Sequence, residues 1–567
     1  MDACHHTVRL RLSGMNSHLR LLVWPLIFVA QAGFGAGAGT EAPGTTRDIY
    51  FSKKTYQPTP LPRFAEMRNR LPSPIFEERP EWVSMYWKSW ELAFKNFHEP
   101  APGSGYVSQF IDAAFNENIF LWDTSFMTMF CNCAHLLVPG IASLDNFYAK
   151  QHADGEICRE INRSTGKDYA PWVNREGRQL FSRWGWTGAG NEPVVYQGRP
   201  APQPPPDLTL DALNHPILAW AELESYRVTG DLERLGRVYE PLVRYYRALQ
   251  KYLRQGNGLY VTDWASMDNS PRNAFLKGGG CAIDTSSQMA LFGRNLATIA
   301  ESLGKAPEAA GFAREADELG AAINALMWDP ARRFYFDLTL EGKRAPVKTV
   351  AGFWPLLAGV ASAAQADDLA KELENPATFN RLHRVPTLAA DQAGHDPAGG
   401  YWRGAAWAPT TTMVIRGLER YGRGALAREI ALNHLAIMGE VFQKTGTVWE
   451  NYAPDAPAPG RPAKSDFVGW SGIGPILYLL EFAVGLKPDA ASNTLAWEVA
   501  SAKPLGVERF RFNGHVVSLK AEPTGADGRS LKLSVASDGP FKLVVRHGGR
   551  EETYSVAKGQ SAFHFRR

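Results

Sequence analysis

Two consecutive stretches, MALFGRNLATIAESLG (Met289–Gly304) and KAPEAAGFAREADELGAAINAL (Lys305–Leu326), decide the fold class. Met289, Phe292, Leu296, Ile299, Ala300 and Leu303 recur at helical spacing, and the pattern stops at Gly304. Past Pro307, Phe312, Leu319, Ile323 and Leu326 repeat it, so the segment is a helical hairpin. Working outward, the same signals predict helices over about 216–229, 232–254, 362–373, 408–421, 425–438 and 473–484. Strand-like alternation is scarce between about 49 and 485. Successive hairpins over this length point to a closed barrel or a solenoid of helix pairs, and the lack of a fixed period speaks against the common solenoids.

Past about 500 the pattern changes. Phe510-Arg511-Phe512, then Asn513-Gly514, then His515 to Leu519 reads as a β-hairpin, because Asn-Gly suits a type I′ turn. Leu531 to Val535 and Phe541 to Val545 continue the alternation. The expected organisation is therefore a signal segment over 1–40, a helical domain over 47–495 and an antiparallel β module over 500–567.

The signal segment rests on Arg9, Arg11 and Arg20 ahead of the apolar run LLVWPLIFVAQA (Leu21–Ala32), with small residues following; Met15 is an alternative start. The run is too short to span a bilayer comfortably. An exported protein, periplasmic or extracellular and not membrane-bound after processing, is expected. Of five cysteines, Cys4 lies in or before the signal; Cys131, Cys133, Cys158 and Cys281 fit no zinc spacing, and disulfides among them stay open. With 567 residues, net charge +3 and no basic cluster, nothing invites a nucleic-acid partner. The chain's 17 Trp and 19 Tyr suit sugar-ring faces, and equally a large aromatic core. No cofactor or metal is expected.

Glycosidic bond hydrolysis needs two carboxyl groups, one to protonate the leaving oxygen and one to activate water or attack. Three segments set carboxylates among aromatics. FLWDTSF holds Asp123 beside Trp122; DWASMDNSPR holds Asp268 between Trp264 and Arg272; WENY holds Glu450 beside Asn451, with FVGWSG and Trp470 beyond. Between the last two lies YWRGAAW, with Trp402 and Arg403. The bland alternatives are that Asp123 caps a helix, Asp268 starts a turn and Glu450 sits in an ion pair. The Pro-rich loops 194–207 and 453–464 are candidate walls of the site, or plain surface loops.

Taken in order, these five motifs resemble the inverting (α/α)6-barrel glycoside hydrolases of the trehalase and processing α-glucosidase type, families 37 and 63, and the bacterial mannosylglycerate-hydrolase-like group. The resemblance covers roughly 115–485. It implies an (α/α)6 barrel, with Asp268 as general acid and Glu450 as general base. It also implies substrate contacts at Asp123 and Arg403, and weaker ones at Trp122, Trp264, Arg272, Trp402, Asn451 and Trp470. An inverting mechanism implies carboxyls about 6.5 to 9.5 Å apart with room for water. Asn214-His215-Pro216 stands where the family often has Gln-Pro-Pro, and the full trehalase pattern is missing, which tells against trehalose itself; DGEICRE (154–160) resembles the bacterial group more. A glycoside or oligosaccharide, α-linked on the family's example, is the implied substrate. The competing classes are an α/α-barrel epimerase or polysaccharide lyase, for which His215 and His395 are available, and a non-catalytic carbohydrate-binding protein.

Overall fold

The computed structural model describes residues 50–169, 172–173, 196, 208, 215–262, 267–524 and 530–566. The signal segment, Trp264, Asn214 and all of the 194–207 loop except Tyr196 lie outside the described residues.

The hairpin read from the sequence is present, somewhat longer at both ends. We label the principal helices α1 (Pro80–Phe94), α2 (Leu121–Cys131), α3 (Leu218–Thr229), α4 (Leu232–Leu253), α5 (Ile283–Ser302), α6 (Ala306–Met327), α7 (Ala363–Glu374), α8 (Ala408–Arg420), α9 (Gly424–Thr445) and α10 (Gly474–Ala483). The last is wound as a π-helix. Local chemistry sets several boundaries. Asp231 accepts from the Arg234 N–H at the start of α4. Ser362 and Gln365 form a reciprocal capping box that starts α7.

Loops of two or three residues join α3 to α4, α5 to α6 and α8 to α9, which forces antiparallel pairs. One member of each pair is buried nearly all round and the other on a single face. Outside these pairs, α2 is buried at every residue except Trp122; within them, α4 buries a stripe of Leu235, Val238, Leu242, Tyr245, Tyr246 and Leu249. Each large apolar side chain in that stripe contributes roughly 1.5–3 kcal/mol of transfer free energy. The buried members touch in sequence: α2 packs on α3, α3 on α5, α5 on the short helix Trp354–Leu357, that helix on α8, and α8 on the turn Trp470–Ile473, which returns to α2.

The C-terminal strands are β2 (Leu486–Asp489), β3 (Thr494–Glu498), β4 (Leu505–Phe512), β5 (His515–Thr524), β6 (Ser530–Ser537), β7 (Phe541–His547), β8 (Arg550–Val556) and β9 (Gly559–Phe565), joined by the early strand β1 (Ser73–Phe76). One sheet runs β1-β4-β5-β6-β9, antiparallel throughout; the other runs β8-β7-β3-β2. The expected Asn-Gly hairpin joins β4 to β5, with Asn513 and Gly514 both at positive φ, as a type I′ turn requires. Two features differ from the sequence reading. Strand β7 pairs in parallel with β3, and the C-terminal strands begin at Leu486 and recruit β1 from just before α1. Strands of two to five residues with mixed polarity carry too little periodicity to be read, and their pairing partners are distant in the chain.

Cys131, Cys133, Cys158 and Cys281 are buried free thiols. Among the described residues no helix is long and apolar enough to cross a membrane.

Candidate active site

The motif residues gather at one end of the helical ring. Asp123 lies in the first turn of α2, Asp268 in the connection leading to α5, Tyr401 to Arg403 just before α8, and Glu450 ahead of Trp470–Ile473 and α10. At Asp123 the unpaired N–H groups of the first turn and the helix dipole favour negative charge; Asp268 and Glu450 lie on connections well ahead of the helices that follow them.

Glu450 is held tightly. Its Oε1 accepts from the Tyr401 hydroxyl at 3.1 Å and its Oε2 from the Lys464 backbone N–H at 3.0 Å. Its backbone carbonyl accepts from Trp470 Nε1 at 3.0 Å and from the Ser471 hydroxyl at 3.1 Å. Burial raises the pKa of Glu450 above its ordinary value, while the Lys464 N–H, the Tyr401 hydroxyl and the Lys464 charge pull the other way. Among the described residues Glu450 is in no buried ion pair, and both its oxygens are oriented.

Asp268 is set differently. Among the described residues no donor from another residue reaches its carboxylate, and the turn is held instead by Asn273, whose Nδ2 donates to the Met267 and Asp268 carbonyls. Its carboxyl is pushed up to about 7. Burial is the main cause; the Arg159 guanidinium lowers the pKa, and the nearby charges of Glu450 and Glu160 raise it further. A carboxyl with that pKa is a proton donor near neutral pH, and an oriented carboxylate beside it can accept a proton from water.

Asp123 is buried and does not cap α2, whose N-cap is Phe120. Burial holds its pKa well above the ordinary range; its own backbone N–H opposes this, and the Glu160 charge adds to it. The neighbouring Arg159 Nη2 lies 2.5 Å from Glu160 Oε1, and Asn118 Nδ2 donates to Glu160 Oε2 at 3.2 Å. Arg159 and Glu160 belong to the DGEICRE segment. The sequence reading gave them no role, because their approach to Asp123 and Asp268 depends on the pairing of Asn118–Phe120 with Glu160–Asn162.

Tyr401 is the clearest residue that sequence reasoning missed. Burial raises its pKa, and the charges of Asp268, Glu450 and Asp123 all add to that, so its hydroxyl lies amid all three carboxyls. Its backbone is left-handed, with φ +64, between Gly400 at +52 and Gly404 at +151. A Cβ at Gly400 would meet Asp396 Cβ at 2.7 Å, and one at Gly404 would meet the Asp396 carbonyl at 2.8 Å. Non-glycine residues held in this region mark a surrounding that over-determines them. The GYWRG spacing was the available signal.

The other residues separate into two groups. Trp122 is partly buried and packs on His215, with centroids 4.2 Å apart, and on Trp354 at 6.0 Å. Arg403 is 43% exposed and pairs with Asp396 at 3.3 Å. Trp402 stacks on Trp407 at 4.2 Å, with the ring planes nearly parallel. By contrast, Arg272 is wholly buried and spends its guanidinium on Asp284 and Asp337, with contacts from 2.5 to 3.1 Å. It fastens the Asp268 turn to α5 and has no face for a ligand. Asn451 is also fully buried; its Nδ2 donates to the Pro462 carbonyl, closing the 453–464 loop over Glu450. Trp470 braces the Glu450 backbone and packs on Phe115 and Phe467. His215 Nδ1 sits 2.7 Å from Gln288 Oε1, and His395 Nδ1 sits 3.0 Å from the Leu388 carbonyl, so the two histidines form no pair with each other.

Likeness to known proteins bears on the family and the fold. The profile of the mannosylglycerate hydrolase MGH1-like glycoside hydrolase domain matches residues 172–471. An uncharacterized protein of Borreliella burgdorferi is 27% identical over 362 residues, 61% of this chain and 75% of that protein. A mannosylglycerate hydrolase of Thermus thermophilus is 37% identical over 113 residues, 20% of this chain and 27% of the relative. A periplasmic trehalase of Pseudomonas aeruginosa is 31% identical over 148 residues, 25% of each chain. The matches thus span about a quarter of the length of these two named relatives. Among solved structures, a GH63 mannosylglycerate hydrolase from Thermus thermophilus in complex with glucose superposes with TM-score 0.53 at 19% identity, covering 69% of this chain and 99% of that one. A GH78 family rhamnosidase of a Bacillus species gives TM-score 0.56 at 15% identity over 81% of this chain and 41% of that one. At such identities these two likenesses speak for the fold.

Proposed function

The chain belongs to the mannosylglycerate hydrolase MGH1-like glycoside hydrolase family, and from that premise we propose that it cleaves an α-linked glycoside with inversion inside an (α/α)6 barrel. Asp268 protonates the glycosidic oxygen as the bond to the anomeric carbon breaks. Glu450 removes a proton from the water that attacks the opposite face. The observation that carries this reading is the unequal setting of the two carboxyls. One lacks a donor from any other described residue and is pushed up to about 7; the other is oriented by Tyr401 and Lys464. An oxocarbenium-like transition state formed between them gains from the negative charge of Glu450.

Asp123, Trp122 and Arg403 are proposed substrate contacts, with the Trp402–Trp407 stack as a wall; Trp264 is a proposed contact from its motif alone. Arg272, Asn451 and Trp470 act from behind, by holding the two catalytic segments. Export to the periplasm or beyond is proposed from the arginines and apolar run near the N-terminus, and the similarity to a periplasmic trehalase supports it.

The test is proton NMR of α- and β-linked disaccharides and hexosyl glycerates incubated with wild type, Asp268→Asn and Glu450→Gln. The expected result is one substrate giving first the anomer opposite to its own linkage, with both variants slowed by orders of magnitude. Retained configuration would overturn inversion, and near-normal turnover by either variant would overturn that residue's role. An unsaturated product absorbing in the ultraviolet would instead identify a lyase.

A further inference from the structure

We propose that Asn269 is a positioning residue that couples the acid segment to the base through Tyr401. The inference rests on the acid and base assignment above and goes beyond it. Asn269 follows Asp268 directly. Its Nδ2 donates to the Gly400 carbonyl at 2.9 Å, and its Oδ1 accepts from the Trp402 N–H at 2.9 Å. The carboxamide thus clasps the backbone on both sides of Tyr401. Only a side chain with one donor and one acceptor a carboxamide's width apart can make both bonds; Asp offers no donor, and Ala offers neither.

The clasped turn needs a restraint from outside. Gly400 and Tyr401 are consecutive left-handed residues, a conformation an L side chain does not hold by itself. Within the turn, the Arg403 N–H reaches the Gly400 carbonyl only at 3.3 Å, and Trp407 Nε1 reaches the Tyr401 carbonyl at 3.3 Å. These are long bonds; across the turn the Ala405 N–H reaches the Gly399 carbonyl at 2.8 Å, and Asn269 adds the two short bonds to the residues on either side of Tyr401. At the tip of this residue the hydroxyl donates to Glu450 Oε1. One covalent step from Asp268, followed by one side chain, one residue and one hydrogen bond, therefore leads to Glu450. An inverting site needs its two carboxyls at a fixed separation, and this linkage is a direct means of keeping it.

The donated hydrogen bond favours the charged form of Glu450, so losing it raises that group's pKa. The acidic limb of the kcat/KM profile then moves to higher pH. The experiment compares Asn269→Ala, Asn269→Asp, Tyr401→Phe and the double variant Asn269→Ala/Tyr401→Phe, by pH profile and by crystal structure. Tyr401→Phe is expected to lower kcat about tenfold and to move the acidic limb up by about one pH unit, as for loss of a hydrogen bond to a charged group. Asn269→Ala is expected to reproduce that shift, and the double variant to go no further than Tyr401→Phe. In the Asn269→Ala crystal structure the Tyr401 hydroxyl leaves hydrogen-bonding reach of Glu450. A uniform loss of activity with the acidic limb unmoved, shifts that add, or a Tyr401–Glu450 contact kept in the Asn269→Ala crystal each overturn the proposal. Where Asn269→Ala fails to fold, Asn269→Asp answers, since it keeps the size and the acceptor and loses the donor. A wild type inactive on every glycoside, or an active Glu450→Gln, sinks the hydrolase assignment instead, and the crystal structure still decides the role of Asn269.

Discussion

The turn around Asp268 and the segment around Glu450 sit on the same end of one helical ring, yet they treat a carboxyl in opposite ways. At Asp268 the backbone is anchored by Asn273 and Arg272 while the carboxylate receives no donor from any other described residue. At Glu450 both carboxylate oxygens and the backbone carbonyl are bonded. Burial raises both pKa values, and only at Glu450 do hydrogen bonds from other residues oppose it. In the proposed mechanism the surroundings, and no chemical difference between Asp and Glu, divide the labour of acid and base between these two groups.

The largest effect that can break the comparison is kinetic. Asp268→Asn and Glu450→Gln should each lower kcat/KM on a natural glycoside by on the order of 10²–10⁴-fold. They should part company on a substrate whose leaving group needs no proton, such as a glycosyl fluoride. There Asp268→Asn recovers most of its activity and Glu450→Gln does not; equal deficits on the fluoride would erase the distinction drawn between the two segments.

Next in size is stability. Arg272 neutralises Asp284 and Asp337 in the interior, so Arg272→Ala leaves two buried charges unpaired. A loss of about 3–5 kcal/mol is expected for a broken buried pair. Denaturant melts of this variant measure it, and a midpoint within error of wild type refutes the anchoring role.

The pH dependence sharpens the comparison from both sides. As the proposed acid, Asp268 acts in its protonated form, so kcat/KM should fall as pH rises through about 7. For stability, a carboxyl whose folded pKa lies above its unfolded value binds an extra proton in the folded state between the two. Stability therefore falls as pH rises from about 4 towards 7, and the cost stays in place above that. Asp268→Asn, which carries no charge, should melt at a higher temperature than wild type at pH 8, with the gap closing near pH 4. A lower melting temperature at pH 8 contradicts the burial of that carboxyl. The smallest effect belongs to Arg403, which is 43% exposed: Arg403→Ala should raise KM several-fold and leave Tm unchanged. A changed Tm with constant KM would move Arg403 into the supporting framework.

The helices were legible to the extent that they face both solvent and core. In α4 the stripe from Leu235 to Leu249 repeats at helical spacing, so its bounds were read to within a residue. Buried α2, by contrast, runs apolar and small-polar on every side, and no period marks it. The motifs carried Asp123, Asp268, Trp402 and Glu450, because a carboxylate among aromatics stands out in any sequence. Tyr401 stood inside one motif and Asn269 inside another without being singled out, since Tyr401 meets Glu450 across 49 positions of chain and Asn269 meets Gly400 and Trp402 across 131 and 133.

What the sequence by itself determined is the run of paired helices, the Asn513-Gly514 hairpin and the set of carboxyls in aromatic settings. All of these depend on neighbours within one or two turns of chain. Only the tertiary structure decided that Arg272 and Asn451 serve the frame, that Arg159 and Glu160 reach the site, and that Asp268 and Glu450 differ. Burial and hydrogen-bond partners are properties of the packed chain, and it is these that set a carboxyl's charge.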